Sequence, residues 1–415
     1  MVLKLFILLY LCIDSKMTET MNHGSYIFSQ LLGFVPKDVF DRIVKKYDGN
    51  KYVKSFTCWN QFCVMVYAQL AERESLRDLE SVLIHHQSYL HHMGMGSTVA
   101  KSTLAYANMT RNPEIFREFA LKLVKMARDL RIGRCSELDE FIDGDVYAFD
   151  STTLTLCISR FPWLKLHHEK AGVKVHTLLD VKTDIPTFFI YTEASLHDSK
   201  VMDEIPYVAG SYYVLDRAYM VTPMLYSIHN TFHAYFVVRE KSHMRFKVIE
   251  NRTVEPESGV MTDQIIRLDG TKTKYQYPEV LRRVTFHDAE SGDDFIFYTN
   301  HLEISADLVA LLYRYRWKVE LFFKWMKQHL HIKEFFGLNE NTIQIQIYTA
   351  ISAYCIIAIA EHKLQLGMDL YEVLRVLQGS LYEKVPLRDF FEKGRKWQIA
   401  TEEPQFNNLQ LLLKF

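Results

Sequence analysis

The residues best placed to do chemistry lie in one run, Tyr313-Arg-Tyr-Arg-Trp-Lys-Val-Glu320-Leu-Phe-Phe-Lys-Trp-Met-Lys327. Between Arg314 and Lys333 six basic residues (Arg314, Arg316, Lys318, Lys324, Lys327, Lys333) stand against one acid, Glu320, a net of +5. A segment so basic, with aromatics interleaved, suits phosphate groups. A lone carboxylate within it could hold a cation against them. A solvated helix face would give the same pattern, with Glu320 simply paired to Arg316 or Lys324. The two readings part on what they require elsewhere, because a cation site needs further carboxylates from distant parts of the chain.

The element carrying this run reads as one long helix. Ser305 suits its N-cap and Asp307 its first turn, and no Gly or Pro intervenes before Gly337. At roughly 100° per residue, Leu308, Leu312, Tyr315, Val319, Phe323, Met326 and Leu330 make one apolar stripe. Tyr313, Arg316, Glu320 and Lys327 then share an arc of about 60° beside that stripe.

Two candidate partner acids lie upstream. Asp145-Val-Tyr-Ala-Phe-Asp150 reads as a strand with Asp150 in its second half. Ser211-Tyr-Tyr-Val-Leu-Asp216 reads as a buried strand ending in an acid. Between them, strands from Gly172 and from Pro186 flank the turn residues Lys182-Thr-Asp184 and so predict a hairpin. A short helix follows Asp198, which suits its N-cap. Helix Thr222–Asn230 and a strand from Ala234 come after Asp216.

The spacing Tyr313-x2-Arg316-x3-Glu320-x6-Lys327 resembles the YREK signature of DDE transposases of the fourth insertion-sequence family. Three strands, helix, strand, helix, strand and the long helix is the element order of a ribonuclease-H-like domain. The resemblance thus implies an α+β or α/β fold whose catalytic core is a mixed five-stranded sheet with helices. The first strand would lie beside the fourth, putting Asp150 next to Asp216, with the Glu320 helix across them. Asp150, Asp216 and Glu320 are the expected catalytic and metal-binding residues. Three carboxylates without Cys or His favour Mg²⁺ or Mn²⁺. Two such ions could activate water or a 3′-hydroxyl and stabilise the leaving oxygen of a phosphodiester.

Arg316 and Lys327 would neutralise phosphates, Tyr313 could hydrogen-bond one, and Lys324 and Arg217 are further candidate DNA contacts. Ser151 and Thr152 would support the strand end. By resemblance the reaction is cleavage at the ends of an insertion sequence and joining of 3′-hydroxyl ends to target DNA, by a homodimer on double-stranded DNA. An inactive DNA-binding relic, or a divalent-dependent nuclease of the same fold, would leave a similar sequence.

The remaining organisation follows from composition. The chain has 415 residues, net charge −1 and 48% hydrophobic residues, so any DNA-binding surface must be local. Six scattered cysteines without a Cys-x2-Cys pair argue against a zinc finger and suit a reducing cytoplasm, where the resemblance implies association with the nucleoid. The His85-His86 and His91-His92 pairs lack i,i+4 spacing and read as surface histidines.

Residues 1–21 begin with an apolar run that reads as a start-site extension; taken literally it would mean an exported or membrane-anchored nuclease. Residues 22–130 read as an all-α DNA-binding domain or a plain helical bundle, with Ser102 capping a helix that presents Lys101, Thr103, Asn108 and Arg111. Residues 145–240 and 300–365 would form the catalytic domain, 241–299 a β-rich insertion, and 366–415 a helical tail. Ile343–Ala360 reads as a helix buried against the sheet, with too few consecutive apolar residues to span a membrane. The resemblance also implies that some relatives hold a flipped base with an insertion tryptophan. No Trp occurs between Lys241 and Asn300, so Phe246, Tyr275, Tyr277 or Phe286 would have to serve.

Overall fold

The computed structural model describes residues 24–133, 136–156, 171–241, 244–255, 258–329 and 335–393. The start-site extension, Lys333 and residues 394–415 lie outside these. The chain divides into two compact units, one of residues up to Leu130 and from Trp325 onward, the other Arg131–Lys324.

The first unit is helical. It contains α1 (Ile27–Leu32), α2 (Lys37–Lys46), α3 (Cys58–Leu70), α4 (Leu76–His85), α5 (Gln87–Leu90), α6 (Lys101–Thr110) and α7 (Glu114–Arg131), whose last residue crosses the boundary. Thr57 and Ser75 cap α3 and α4 by accepting from the backbone N–H groups of Asn60 and Asp78. Ser102 is no cap: α6 starts two residues earlier than such a cap would set it, at Lys101 after Ala100, with no side-chain cap. Two of the polar residues that the sequence places on this helix are taken up by neighbours within the unit. Asn108 is buried and accepts from Gln61, and Arg111 donates to the carbonyls of Phe56 and Thr57 and to Gln61.

The second unit is a mixed α+β body around one nine-stranded sheet, in the order β3-β2-β1-β4-β5-β9-β8-β7-β6. The strands are β1 (Val146–Leu156), β2 (Ala171–Asp180), β3 (Ile185–Glu193), β4 (Tyr212–Leu215), β5 (Tyr235–Arg239), β6 (Phe246–Arg252), β7 (Val260–Leu268), β8 (Val280–His287) and β9 (Asp294–Thr299). The expected hairpin is present as antiparallel β2 and β3, and β1 runs parallel to β4. The expected five strands are therefore only part of the sheet. The β-rich segment extends it, because β9 pairs antiparallel with β5, Val238 opposite Tyr298.

Burial explains this continuity. Side chains alternate across a strand, so Tyr147 and Phe149 of β1, Tyr213 and Leu215 of β4 and Phe236 and Val238 of β5 share one face. Their core continues through Ile266, Leu281 and Tyr298 of β7, β8 and β9. The helix α8 (Thr222–Asn230) covers that face through Leu225 and Ile228, and the short α9 (Thr273–Gln276) leads into buried Tyr277.

The predicted single helix is two: α10 (Ala306–Arg314) and α11 (Trp317–His329). Between them the backbone tightens to i→i+3 bonds, Arg316 N–H to Tyr313 O, Lys318 to Tyr315 and Val319 to Arg316. Side chains here are pinned to separate elements: Tyr315 donates to Glu137, Arg316 to Asp150, and Lys318 to Val181 O and Asp184. The tight turn lets all three reach. It also removes Tyr315 from the apolar stripe and buries Tyr313 instead.

α12 (Glu340–Leu364) is long and apolar enough to cross a membrane by length and composition, contrary to the count made from sequence, yet its apolar window is wholly buried. Its main packing partners are α1, α3, α6 and α13 (Leu370–Gln378), so the expected burial is met by helices of its own unit.

Candidate active site

The two aspartates are set by strand register. Ala148 and Phe149 of β1 stand opposite Val214 and Leu215 of β4, so Asp150 and Asp216 follow as the next residues on parallel neighbours. Both belong to the face opposite the Phe149 core. Asp150 falls in the first half of the 11-residue β1, earlier than expected, because that strand runs on to Leu156. Backbone contact holds the two strands together before the acids are reached: Tyr212 N–H donates to Asp145 O at 2.8 Å. A Cβ on Gly144 would meet Gly210 O at 2.5 Å, so that approach needs glycine.

α10 packs on the acid-bearing face, against β4, β5, β7, β8 and β9. It delivers Tyr313, which is 6% exposed, packs its ring tilted against Phe297 and donates its hydroxyl to Asp216 Oδ1 at 3.1 Å. Burial, first, and then the charge of Asp216 raise the Tyr313 phenol, to about 12 against the draw of Arg316, so it stays a donor. The turn after α10 delivers Arg316. Its Nη1 lies 3.0 Å from Asp150 Oδ2 and its Nη2 2.6 Å from Glu320 Oε1, one helical turn on in α11.

Tyr313 and Arg316, read from sequence as phosphate contacts, thus bind the acids directly. Lys324 is exposed on α11, Arg217 is exposed just after Asp216, and Lys327 is half-buried further along α11.

Electrostatics follow from burial. Asp150 is 20% exposed; burial pushes its carboxyl up to about 6, with Asp216 and Glu320 adding to the rise. Arg316 and the Ser151 N–H, 2.8 Å from Asp150 Oδ1, pull the other way. For Arg316 burial opposes the charge, but Tyr313, Glu320 and Asp150 outweigh it and hold the guanidinium firmly protonated.

Ser151 supports the strand through a contact that sequence reading missed. Its hydroxyl donates to Asp198 Oδ1 at 3.1 Å, and Lys174 Nζ lies 3.0 Å from the same oxygen. Asp198 is therefore not the cap of the short 3₁₀ helix Asp198–Glu204; His197 is, accepting from Ser199 N–H. The only sequence signal was an acid beside a histidine, which N-capping explained equally well.

In donor type the acids fit a hard cation: three carboxylates, with no thiolate or imidazole among them. Among the described residues, however, no three His, Cys, Asp or Glu side chains stand grouped around a common point. Arg316 lies between two of the carboxylates.

Of the aromatic substitutes for an insertion tryptophan, Tyr277 is excluded, being fully buried with its hydroxyl on His229 Nδ1. Tyr275 is 76% exposed.

Comparison with known proteins gives the chain's relatives. Residues 23–96 match a family described as a domain of unknown function, DUF4372. A Sinorhizobium fredii protein named as a candidate transposase, y4zB, is 31% identical over 226 residues, 54% of this chain and 63% of that protein. A Geobacillus stearothermophilus protein named as the probable transposase for insertion sequence element IS5377 is 35% identical over 210 residues, 50% of this chain and 54% of its own. The matches thus span less than two thirds of either relative. A cryo-EM structure of the piggyBac transposase synaptic complex with hairpin DNA aligns over 91% of this chain and 84% of that one, with 12% identity and a TM-score of 0.44. Residues 142–356, more than half of the chain, match the family described as Transposase DDE domain, and the protein belongs to that family.

Proposed function

We propose that this chain is a transposase of the fourth insertion-sequence family, cleaving phosphodiesters at the ends of its element and joining the 3′-hydroxyl ends to target DNA. The observation that carries this reading is convergence. Asp150, Asp216 and the Tyr313–Glu320 segment are far apart in sequence, yet β1–β4 register and the α10–α11 turn bring them to one sheet face. The order β3-β2-β1-β4-β5, with β1 parallel to β4, supports a ribonuclease-H-like core at that point.

In this reading Asp150, Asp216 and Glu320 hold divalent cations. Bound Mg²⁺ or Mn²⁺ would supply an activated attacking oxygen and stabilise the leaving one. The chain's own residues orient the substrate. Arg316, Lys324 and Lys327 take phosphates, Arg316 by two parallel hydrogen bonds and the lysines as point charges. Exposed Arg217 follows Asp216 just past the end of β4. Residues 22–130 would recognise the element's ends, and two copies would act on paired ends.

The test is Mg²⁺-dependent nicking of a labelled duplex carrying the element's end, wild type against Glu320→Gln. Cutting by wild type with binding but no cutting by the variant supports the reading. Equal binding with cutting by neither, in Mg²⁺ or Mn²⁺, sinks it.

A further inference from the structure

One guanidinium engages two of the three acids. Arg316 bridges Asp150 and Glu320 at 3.0 and 2.6 Å, lies 5.5 Å from the Tyr313 ring centroid, and is 14% exposed. Tyr313 covers the third acid, Asp216. A divalent cation shared by Asp150 and Glu320 would need the oxygens that the guanidinium now uses. Two like charges sharing them in this partly buried place would repel.

The bridge is also incomplete. Arg316 Nε is buried and has no hydrogen-bond partner, and a buried donor left this way is costly. A phosphate presents two oxygens to the Nε–Nη2 edge and would satisfy both of its donors at once. Arg316 lies in the tightened turn between α10 and α11, where a small backbone change can re-aim it.

We propose that Arg316 is a latch that makes metal capture depend on DNA: without DNA it occupies Asp150 and Glu320 and excludes a divalent cation, and a DNA phosphate draws it off and frees both carboxylates. This rests on reading the three acids as metal ligands. Linkage makes the effect reciprocal, so divalent cation tightens DNA binding by the factor by which DNA tightens cation binding.

The experiment measures Mn²⁺ binding to the full chain by the loss of the free-ion electron paramagnetic resonance signal, with and without a saturating short duplex. The variants are Arg316→Gln, Arg316→Lys, Asp150→Asn and Glu320→Gln. Without DNA, Arg316→Gln should bind Mn²⁺ at least about tenfold tighter than wild type. Arg316→Lys, whose single ammonium cannot fork to both acids, should fall between. The duplex should tighten Mn²⁺ binding to wild type and not to Arg316→Gln.

If neither Arg316 variant binds tighter, while Asp150→Asn and Glu320→Gln lose binding, the latch is overturned and the metal reading stands. If wild-type affinity is the same with and without duplex, release by DNA is overturned. If Asp150→Asn and Glu320→Gln bind Mn²⁺ as wild type does, the metal reading itself fails.

Discussion

Two of the arginines that meet carboxylates on the large sheet are built to opposite ends. Arg282 of β8 grips Asp263 of β7 through two parallel bonds of 2.8 Å, Nε to Oδ1 and Nη2 to Oδ2, and its Nη1 donates to Ile304 O. Both side chains are almost wholly buried, at 3% and 5% exposure. Arg316 spreads over two acids from different elements, leaves Nε unpaired, and faces carboxylates that are 20% and 34% exposed. The first pair has a bond at each guanidinium nitrogen and joins neighbouring strands, so it serves the fold. The second is reachable and unsatisfied, so it can change partners. Satisfaction and access, more than proximity of charges, separate a structural pair from a functional one.

Breaking one partner should expose this contrast. Asp263→Ala leaves Arg282 charged and buried, and should cost roughly 3–5 kcal/mol of stability; urea denaturation reads this directly. Glu320→Gln should cost little stability, because its carboxylate is partly solvated. It should instead reduce nicking by about a thousandfold, some 4 kcal/mol of barrier. A large loss of stability there, with nicking retained, would erase the distinction between the two pairs.

Proton titration sharpens the comparison on a smaller scale. The Asp150 carboxyl, at about 6 in the folded chain, lies above its ordinary 3.8. Its contribution to stability is then fully present below about pH 3.8 and is lost as pH rises through about 6, because the unfolded chain releases the proton first. In chelator, wild type should lose up to roughly 3 kcal/mol relative to Asp150→Asn across that window, measured by urea unfolding at each pH. A difference that does not change with pH would refute the shift.

The smallest expected effect is Asp198→Asn, which removes a charge from the Lys174–Ser151 network beside β1. A loss of about 1 kcal/mol is expected, and thermal unfolding at neutral pH checks it.

Much of the site was legible before the structure. Asp150 and Asp216 were found because each closes an apolar run, and Glu320 because it is the one acid in a basic segment. Arg316 was foreseen against Glu320 but not against Asp150, and Tyr313 and Asp198 were found but given other partners. Arg316 and Tyr313 read as phosphate contacts since no local pattern says that carboxylates 97 and 166 residues away in sequence will meet them. Asp198 read as a cap because capping is the commonest local use of such a residue.

The sequence by itself determined which segments are strands and helices, which faces are apolar, and which residue types could bind a hard cation. Those follow from side-chain periodicity and chemistry, which are local. The tertiary structure alone decided that β9 joins β5 and extends the sheet, that α12 is buried by helices, and that the chain breaks between Arg314 and Trp317. A periodic pattern shows that a face is buried without saying what buries it. Side chains pinned to three separate elements can bend a helix that its own residues would have continued.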